Sequence, residues 1–330
     1  MNWKGSMKYG MIEPFTHILQ ESLKVNSGKP YKEKLHVWFL EEFIFNCLII
    51  REGENLLMDN ILKRLQNTEL EILDEIMRIC DANDIHYVMM GGTCLGAIRH
   101  KGIIPWDDDI DVGMYREDYN RFKEICKKEL NSKYFFQDFD TEKNCGFIFG
   151  KIRKNNTEMV EEYAKDVDMH KGIWVDIFPF DYVNDDFSIF QKEYKKLLFI
   201  RNLLIVKQGF KVKEDASTAV KLTYHMVRCV RGVLSVDSLK NKIMKIMTKY
   251  DNTKTNMMFP YGCAWKEKEL ISKDEFFDTI RVDFEGRKVP VFRSYDKYLT
   301  SLYKDYMTLP PIEKRNSGHD LRNVKFDKEN

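Results

Sequence analysis

The sequence lacks the features that mark membrane-spanning, secreted and zinc-binding proteins. Its most apolar early segment, residues 37–50, contains Glu41 and Glu42 and is shorter than the about 20 residues that a membrane-spanning helix needs. No cationic and apolar signal pattern precedes that segment. The seven cysteines include no CxxC pair, which argues against a disulfide framework and against a zinc site. These absences favour a cytoplasmic protein that contacts a membrane at most peripherally, at its inner face.

The sequence also lacks an excess of either charge. Lys and Arg together number 53 and Asp and Glu together number 52, so the formal net charge is +1. The chain therefore has no global electrostatic field that would attract nucleic acid or an anionic membrane surface. Its 330 residues, 43% of them hydrophobic, are enough to bury a full core. We expect a globular protein whose function depends on a local site, with no nucleic-acid partner.

Residues 1–57 lack the periodicity of the rest of the chain. Their apolar residues follow neither a helical nor a strand period, and glycine and proline interrupt them. A regular pattern starts at Met58, and residues 51–54 can be encoded by a purine-rich run of the kind that positions a bacterial ribosome. We expect residues 1–57 to be an atypical extension, with a natural start at Met58 as an open alternative, and residues 58–330 to form the folded part.

A glycine pair between a strand and a helix is the first pattern that indicates a binding site. Residues 85–90 (IHYVMM) form a short, β-rich run that leads directly into Gly91 and Gly92, and residues 93–100 have helical character. Such a turn lets the backbone approach a ligand, and the free N–H groups of the following helix suit a phosphate. The pattern is weak alone, because a glycine pair at this place is more often only a tight turn.

An acidic run follows this helix and strengthens the interpretation. Residues 107–112 (DDDIDV) are predicted to begin a strand, in which Asp107, Asp109 and Asp111 would share one face. Carboxylates this close need a cation, and ligands that are all oxygen favour Mg²⁺ or Mn²⁺. The alternative is a solvated acidic turn before a strand.

A third acid is expected from a later strand. Residues 172–178 (GIWVDIF) form an apolar, strand-like run with a single charge, Asp176, at its centre. An acid in such a run is costly to bury unless it is paired or bound to a metal. The alternative is an aspartate on the solvent face of an edge strand.

The remaining pattern predicts alternating helices and strands. Thr68 and Glu71 fit a capping box for a helix that ends near residue 83. The other predicted elements are a helix over 117–130, strands over 134–139 and 146–153, helices over 186–207 and 219–247, a hairpin over 283–291 and an aromatic helix over 298–306. The two basic helices before the hairpin could form a membrane or glycan platform, but amphipathic helices that cover a sheet are the plainer interpretation.

Several of these motifs together resemble the LicD family, whose relatives include fukutin and fukutin-related protein. The resemblance rests on GGTCLGAIRHKGIIPWDDDIDVGM, WVDIFPFD, FEGRKVPV and YLTSLYKDYMTLPP, and it covers roughly residues 70–319. It implies an α+β fold of the nucleotidyltransferase type, with a mixed sheet, packed helices and a helical C-terminal portion. The catalytic core would span about 68–182, and the helical and hairpin part about 183–330.

The resemblance also implies the chemistry. It indicates metal-dependent transfer of a substituted phosphate, typically phosphocholine from CDP-choline, to a cell-surface glycan such as lipopolysaccharide, teichoic acid or capsule. The partners would be this nucleotide-activated donor and a glycan acceptor, which could be lipid-linked. Carried over to this chain, Gly91 and Gly92 are the glycine turn, Asp109 and Asp111 are the paired metal acids, and Asp176 is the later strand acid.

These expectations define a set of candidate site residues. The catalytic and metal-binding candidates are Asp109, Asp111 and Asp176, the last of which either completes the metal site or accepts a proton. The candidates for binding substrate are Gly91, Gly92, Thr93, Arg99, His100, Lys101, Trp106 and Asp107. The aromatic candidates for a choline cation are Trp106, Trp174 and Tyr303. His319, in a polar tail, is expected to be structural or disordered.

Two other classes of function stay open. A sugar-nucleotide glycosyltransferase also uses a DxD metal site, but it normally lacks a glycine-led helix immediately before the acids. A non-catalytic module that binds a nucleotide or a glycan would be favoured if one of the metal acids were missing. The presence of all three candidate acids favours the transferase.

Overall fold

The computed structural model describes residues 57–211, residues 235–327 and a few residues between 218 and 228. The hypothesis about residues 1–57 concerns a segment of which only Leu57 is described, and it stays a prediction. The first part of the helix predicted over 219–247 also lies largely outside the described residues.

The chain divides into two units. The larger one comprises Ile61–Leu309 and Asn316–Asn330 and contains both sheets and the candidate site. Of the smaller unit, the structure describes residues 57–60 and Pro310–Arg315, which include a 3₁₀ turn at Ile312–Lys314.

The described residues form nine strands in two sheets. They are β1 (Tyr87–Met89), β2 (Asp111–Tyr115), β3 (Tyr134–Gln137), β4 (Gly150–Lys154), β5 (Trp174–Val183), β6 (Met257–Pro260), β7 (Ile271–Ser272), β8 (Thr279–Phe284) and β9 (Arg287–Phe292). Seven of them form one sheet in the order β1-β2-β5-β4-β3, with β6 paired to β5 and β7 paired to β6. The β2–β5 pair is parallel and the other pairs are antiparallel. Strands β8 and β9 form the predicted hairpin, which turns at Glu285 and Gly286.

Seven α-helices flank these strands within residues 57–211 and 235–327. They are α1 (57–82), α2 (Gly91–Arg99), α3 (Arg116–Glu129), α4 (Phe187–Lys207), α5 (Val236–Met247), α6 (Lys273–Phe277) and α7 (Tyr295–Tyr303). A mixed sheet with packed helices confirms the predicted α+β fold class. Among the described residues, no helix combines the length and the apolar content that crossing a bilayer requires.

Strand β5 lies at the centre of the large sheet. All ten of its residues are buried, because it lies between β2 and β4 and its second half also pairs with β6. Strands covered in this way carry continuous apolar runs rather than alternating ones. The sequence predicts that the strand ends before Pro179, but β5 continues through this residue, which pairs with Met114 of β2. The edge-strand alternative for Asp176 is therefore wrong.

The first described helix begins earlier than the sequence predicts. Helix α1 already includes residue 57, so Thr68 lies in its interior. The Thr68 hydroxyl donates to the carbonyl oxygen of Arg64 at 2.9 Å. A threonine within a helix can satisfy its hydroxyl by this contact one turn back, so the capping-box prediction is wrong.

The acidic run is a loop before it becomes a strand. Strand β2 begins only at Asp111, whereas the sequence predicts a strand from Asp107. The carbonyl oxygen of Asp107 accepts a hydrogen bond from the side chain of Gln66 at 2.9 Å rather than from a neighbouring strand. The predicted alternation of side chains therefore does not extend to the first residues of the run.

Candidate active site

The glycine turn lies directly against the acidic run. Gly91 has a φ of +54°, in the left-handed region that favours glycine. A Cβ at Gly91 would lie 3.3 Å from Oδ2 of Asp111, and a Cβ at Gly92 would lie 2.8 Å from Oδ2 of Asp107. Glycine therefore lets the start of α2 approach both carboxylates closely. The partial positive charge of the helix N-terminus also stabilises anions at this place.

The candidate metal acids come from neighbouring strands and from the loop before them. Asp111 and Asp176 are directly paired in the parallel β2–β5 ladder, so both project from the same face of the sheet. Asp109, two residues before Asp111, is close enough for the charge of Asp176 to raise its pKa. Among the described residues, the acids whose ligand oxygens all lie within 4.8 Å of one another are Asp107, Asp108 and Asp109. This group could hold a metal ion. Of its three members, Asp109 is also one of the predicted metal ligands.

Burial makes these acids hard to ionise. It raises the pKa of Asp109 to about 6, and it raises the pKa values of Asp107 and Asp111 well above their usual range. The charges of neighbouring acids raise the pKa values of Asp107 and Asp111 further. A cation favours the ionised form of such a group. The cluster therefore fits a divalent ion held by oxygen ligands, which Mg²⁺ and Mn²⁺ prefer.

Lys151 is a site residue that the sequence analysis missed. Its Nζ lies 2.6 Å from Oδ1 of Asp176, its paired residue in the β4–β5 ladder. Burial raises the pKa of Asp176, and the Lys151 ammonium opposes that rise. The ammonium also lies 4.2 Å from the ring centroid of Trp174 and 4.8 and 5.2 Å from those of Phe147 and Phe149. The sequence gives no signal for Lys151 as clear as that for Asp176, because Arg153 and Lys154 follow it in the same strand.

The C-terminal segment binds another acid of the loop, Asp108. The N–H groups of Gly318 and His319 donate to its two carboxylate oxygens at 2.8 and 2.7 Å, and Nδ1 of His319 lies 3.3 Å from it. Burial lowers the pKa of His319, but Asp108 and Glu161 outweigh this effect and raise it to about 11. Burial raises the pKa of Asp108, but its contacts with His319 and Gly318 lower it on balance. Asp108 is therefore an ionised anchor for the C-terminal segment, and His319 has the structural role that was one of its two predicted alternatives.

Helix α1 contributes another acid, Glu69. Its side chain is 1% exposed, and Oε2 has no hydrogen-bond partner among the described residues. Gln66, one turn earlier, donates a hydrogen bond to the carbonyl oxygen of Asp107. This contact places the same face of α1 against the acidic loop, residues 107–110. Burial raises the pKa of Glu69 well above its usual range, and the charges of Asp109 and Asp108 raise it further. The sequence analysis missed Glu69 because it read this part of the helix as an N-terminus.

A buried chain of hydrogen bonds fixes the glycine turn. The N–H of Gly91 donates to the hydroxyl of Tyr298 at 3.0 Å, and this hydroxyl donates to Oε2 of Glu269 at 2.5 Å. Burial raises the pKa of Glu269 to about 7, although the bond from Tyr298 opposes the rise. The N–H of Gly91, which the sequence predicts to bind phosphate, is therefore already engaged. A phosphate at this turn would depend on the N–H groups of Gly92 and Thr93.

Comparison with known proteins identifies the family to which the chain belongs. Residues 84–204 match the LicD/FKTN/FKRP nucleotidyltransferase domain. The chain is 31% identical over 264 residues to the lipopolysaccharide cholinephosphotransferase LicD of Haemophilus influenzae, which covers 78% of this chain and 96% of that protein. The chain belongs to the LicD family. It is therefore a transferase, as the resemblance in its motifs implies.

A second group of relatives matches this LicD-family chain over a shorter length. The ribitol 5-phosphate transferase FKRP of mouse is 31% identical over 106 residues, which cover 31% of this chain and 22% of the mouse protein. The human protein of the same name is 29% identical over 106 residues. The residues that match the family domain include the glycine turn, Asp111, Asp176 and Lys151, whereas Glu69 and His319 lie outside them.

The predicted binding residues of this LicD-family site lie in two places. Thr93 is at the acids, because its Oγ1 accepts a hydrogen bond from the N–H of Asp111 at 2.8 Å. Arg99, His100 and Lys101 lie at the opposite end of the nine-residue α2, about 12 Å along the helix from the glycine turn. The structure does not bring these three cations to the turn, because a regular helix separates its two ends by its full length.

Of the three aromatic residues predicted to bind a choline cation, Tyr303 lies close enough to the acids for their charges to act on it. Burial raises its pKa, and the charges of Glu269 and the acidic loop raise it further. Its ring meets that of Trp265 edge to face, with the centroids 4.7 Å apart. Trp106 packs against the histidine at the far end of α2, and Trp174 already contacts the ammonium of Lys151.

Proposed function

We propose that this LicD-family chain transfers phosphocholine from CDP-choline to a hydroxyl group of a cell-surface glycan such as lipopolysaccharide, teichoic acid or capsule. The observation that carries the proposal is the similarity to the H. influenzae cholinephosphotransferase over 96% of that protein. The site supports it, because acids on adjacent strands lie beside a glycine turn at a helix N-terminus, an arrangement suited to a divalent ion and a diphosphate. We expect the donor and the acceptor to meet in the cytoplasm, at the inner face of the membrane.

The acids would hold Mg²⁺ or Mn²⁺. Asp109, Asp111 and Asp176 are the proposed ligands, and Asp107 lies beside them against the glycine turn. A bound divalent ion would neutralise charge that develops on the phosphate oxygens. The raised pKa values of Asp109 and Asp111 fit this assignment, because a cation would return both acids to their ionised form.

The reaction is a substitution at phosphorus. The acceptor hydroxyl attacks the phosphorus atom that carries choline, the bond from this atom to the bridging oxygen breaks, and CMP leaves with that oxygen. The proton of the hydroxyl passes to a carboxylate, for which Asp176 is our candidate if it does not complete the metal site. Lys151, at 2.6 Å, favours the ionised form of Asp176, which either role requires.

A product assay tests the proposal. The full chain is incubated with Mg²⁺, CDP-choline and purified lipopolysaccharide or teichoic acid, and the acceptor is analysed by mass spectrometry. We expect a mass gain of one phosphocholine and an equal amount of released CMP. A gain of hexose from a UDP-sugar would instead support a glycosyltransferase. Donor binding without product on any acceptor would support a binding module.

The head group of the donor has one competing candidate. The similarity to the ribitol 5-phosphate transferases over 106 residues favours CDP-ribitol as the second donor to test. Parallel assays with CDP-choline, CDP-ribitol and CDP-glycerol separate these possibilities, because each leaves a product of a different mass. Thermal-shift measurements with the same donors give an independent ranking, since a ligand that binds the native state raises its apparent stability.

A further inference from the structure

Oε2 of Glu69 is a buried carboxylate oxygen that has no hydrogen-bond partner among the described residues. Other acids on α1 are paired, since Glu75 binds Arg78 at 2.8 Å and Glu71 binds Lys154 at 2.5 Å. Glu69 is almost fully buried, with Oε2 unbonded. A buried polar atom without a partner costs free energy, so it usually indicates an ion or a water that the fold is built to hold.

The position of Glu69 directs this carboxylate at the acidic loop. Nε2 of Gln66 lies 2.9 Å from the carbonyl oxygen of Asp107 and 3.5 Å from those of Ile104 and Pro105. Residues three apart on a helix share a face, so Glu69 faces the same loop. Asp107, whose carbonyl oxygen accepts the hydrogen bond from Gln66, belongs to the group of acids that could hold a metal ion.

Two cations close to the acids, His319 and Lys151, are already paired with other carboxylates. His319 lies between Asp108 and Glu161, at 3.3 and 3.5 Å. Lys151 binds Asp176 at 2.6 Å. Neither of them satisfies Oε2 of Glu69, and this atom therefore stays available to a further cation.

We propose that Glu69 binds the hydration shell of a divalent cation held by the acidic loop, and thereby positions that cation. Glu69 comes from α1 rather than from the loop and the strands that carry the proposed ligands, so we assign it to the waters of the ion rather than to the ion itself. Mg²⁺ usually keeps several waters in a protein site, and acids around the direct ligands orient them. The inference rests on the metal-dependent function proposed above and adds a positioning residue from outside the matched family domain.

Metal titration of the full chain without donor tests this role. We expect Glu69→Gln to weaken binding of Mg²⁺ by about 10- to 100-fold in isothermal titration calorimetry, the range typical for residues that orient metal ligands. The melting temperature of the metal-free variant should equal or exceed that of the wild type, because an amide cannot ionise and so avoids the cost that burial and the neighbouring acids impose on a carboxylate here. Glu71→Gln is the matched control, since Glu71 lies on the same helix but pairs with Lys154 at the surface, and its metal affinity should not change. Glu69→Asp, which keeps the charge, should recover part of the affinity.

The outcomes separate this inference from the proposed function. Wild-type metal affinity in Glu69→Gln would overturn the role of Glu69, whatever the donor proves to be. A fall in the melting temperature of Glu69→Gln without metal, or failure to fold, would also overturn it, because Glu69 would then support the fold rather than the ion. If the wild type binds Mg²⁺ but uses no CDP-linked donor, the proposed function fails while the inference about Glu69 stands.

Discussion

The acids of the site have the same functional group, and their partners decide what each of them can do. Asp108 accepts two backbone N–H groups and faces His319, so it is ionised and engaged in structure. Asp176 has the ammonium of Lys151. Asp111 differs from both, because the groups whose charges act most strongly on it are themselves acids. Burial raises its pKa, and the charges of the neighbouring acids raise it further. Asp111 therefore depends most on a cation that arrives with the substrate or before it.

Replacing Asp111 by Asn should separate activity from stability. We expect Asp111→Asn to reduce turnover by at least about 10²-fold, because it removes charge that positions the metal and stabilises the transition state. The melting temperature of the metal-free protein should stay the same or rise, since the substitution relieves repulsion among buried acids. Asp283→Asn is a suitable control, because Asp283 is an exposed partner of Lys288. Near-normal activity of Asp111→Asn in saturating Mg²⁺ would show that the metal assignment is wrong.

Glu269 should make stability depend on pH. Its pKa of about 7 in the folded protein exceeds the value of 4.5 expected for an exposed glutamate. As the pH rises from 4.5 to 7, Glu269 ionises in the unfolded chain before it ionises in the folded protein. The free energy of unfolding of the wild type therefore falls by on the order of 3 kcal/mol over this range. The loss is complete above pH 7. Glu269→Gln should therefore be similar to the wild type near pH 4.5 and more stable near pH 8. Urea unfolding of both proteins at the two pH values measures the difference in free energy of unfolding between them. The same difference at both pH values would contradict a pKa of Glu269 raised by burial.

Single elements of the fold are held in place by buried polar contacts as well as by apolar packing. Arg116 at the start of α3 donates from Nε and Nη2 to the two carboxylate oxygens of Asp181 in β5 at 2.6 and 2.7 Å. Both side chains are almost fully buried. This bidentate contact joins the helix that follows β2 to the strand that carries Asp176. The contact therefore adds to the backbone pairing that already holds the two acid-bearing strands side by side.

Breaking this pair on one side should be costly. Arg116→Met should lower the free energy of unfolding by about 3–5 kcal/mol, because it leaves the charge of Asp181 buried without a partner. The double variant Arg116→Met/Asp181→Leu should recover much of this loss, since both charges are then removed. Denaturant unfolding of both variants measures the recovery. Equal losses in the single and the double variant would mean that the contact has no such role.

At the scale of the whole molecule, the site is assembled from parts that are distant in sequence. Glu69 comes from the first described helix, the acids from β2 and β5, Tyr298 from α7 and His319 from the C-terminal segment. The hydrogen bond from the N–H of His319 to the carboxylate of Asp108 joins residues 211 positions apart. The acidic loop is thus held from both sides by segments outside the matched family domain. Its geometry depends on the completed fold.

Removing the histidine that holds the C-terminal segment should loosen the acidic loop. We expect His319→Ala to lower the free energy of unfolding by about 1–3 kcal/mol, because Asp108 and Glu161 both lose a charged partner. Metal affinity should fall as well, since the loop loses an anchor. Lys325→Met in the same segment is the control, because its ion pair with Glu158 is exposed and contributes at most about 1 kcal/mol. Equal effects of the two variants, measured by calorimetry and metal titration, would argue against the anchor.

The sequence by itself determined the local parts of this protein. The strand and glycine turn, the hairpin at Glu285 and Gly286, and the helix predicted over 117–130 follow from patterns of neighbouring residues, and the structure confirms them. The family motif likewise lies in continuous stretches that can be recognised without a fold. These features are local because the propensities, glycine geometry and periodicity that produce them act within a few residues.

Only the tertiary structure decided which residues share the site. It continued β5 through Pro179 and converted the first acids of the run into a loop. It also brought Glu69 and Lys151 to the acids, although no spacing in the sequence relates them. The physical reason is that burial and pairing of charges depend on contacts between distant segments, and these contacts form only when the core has closed.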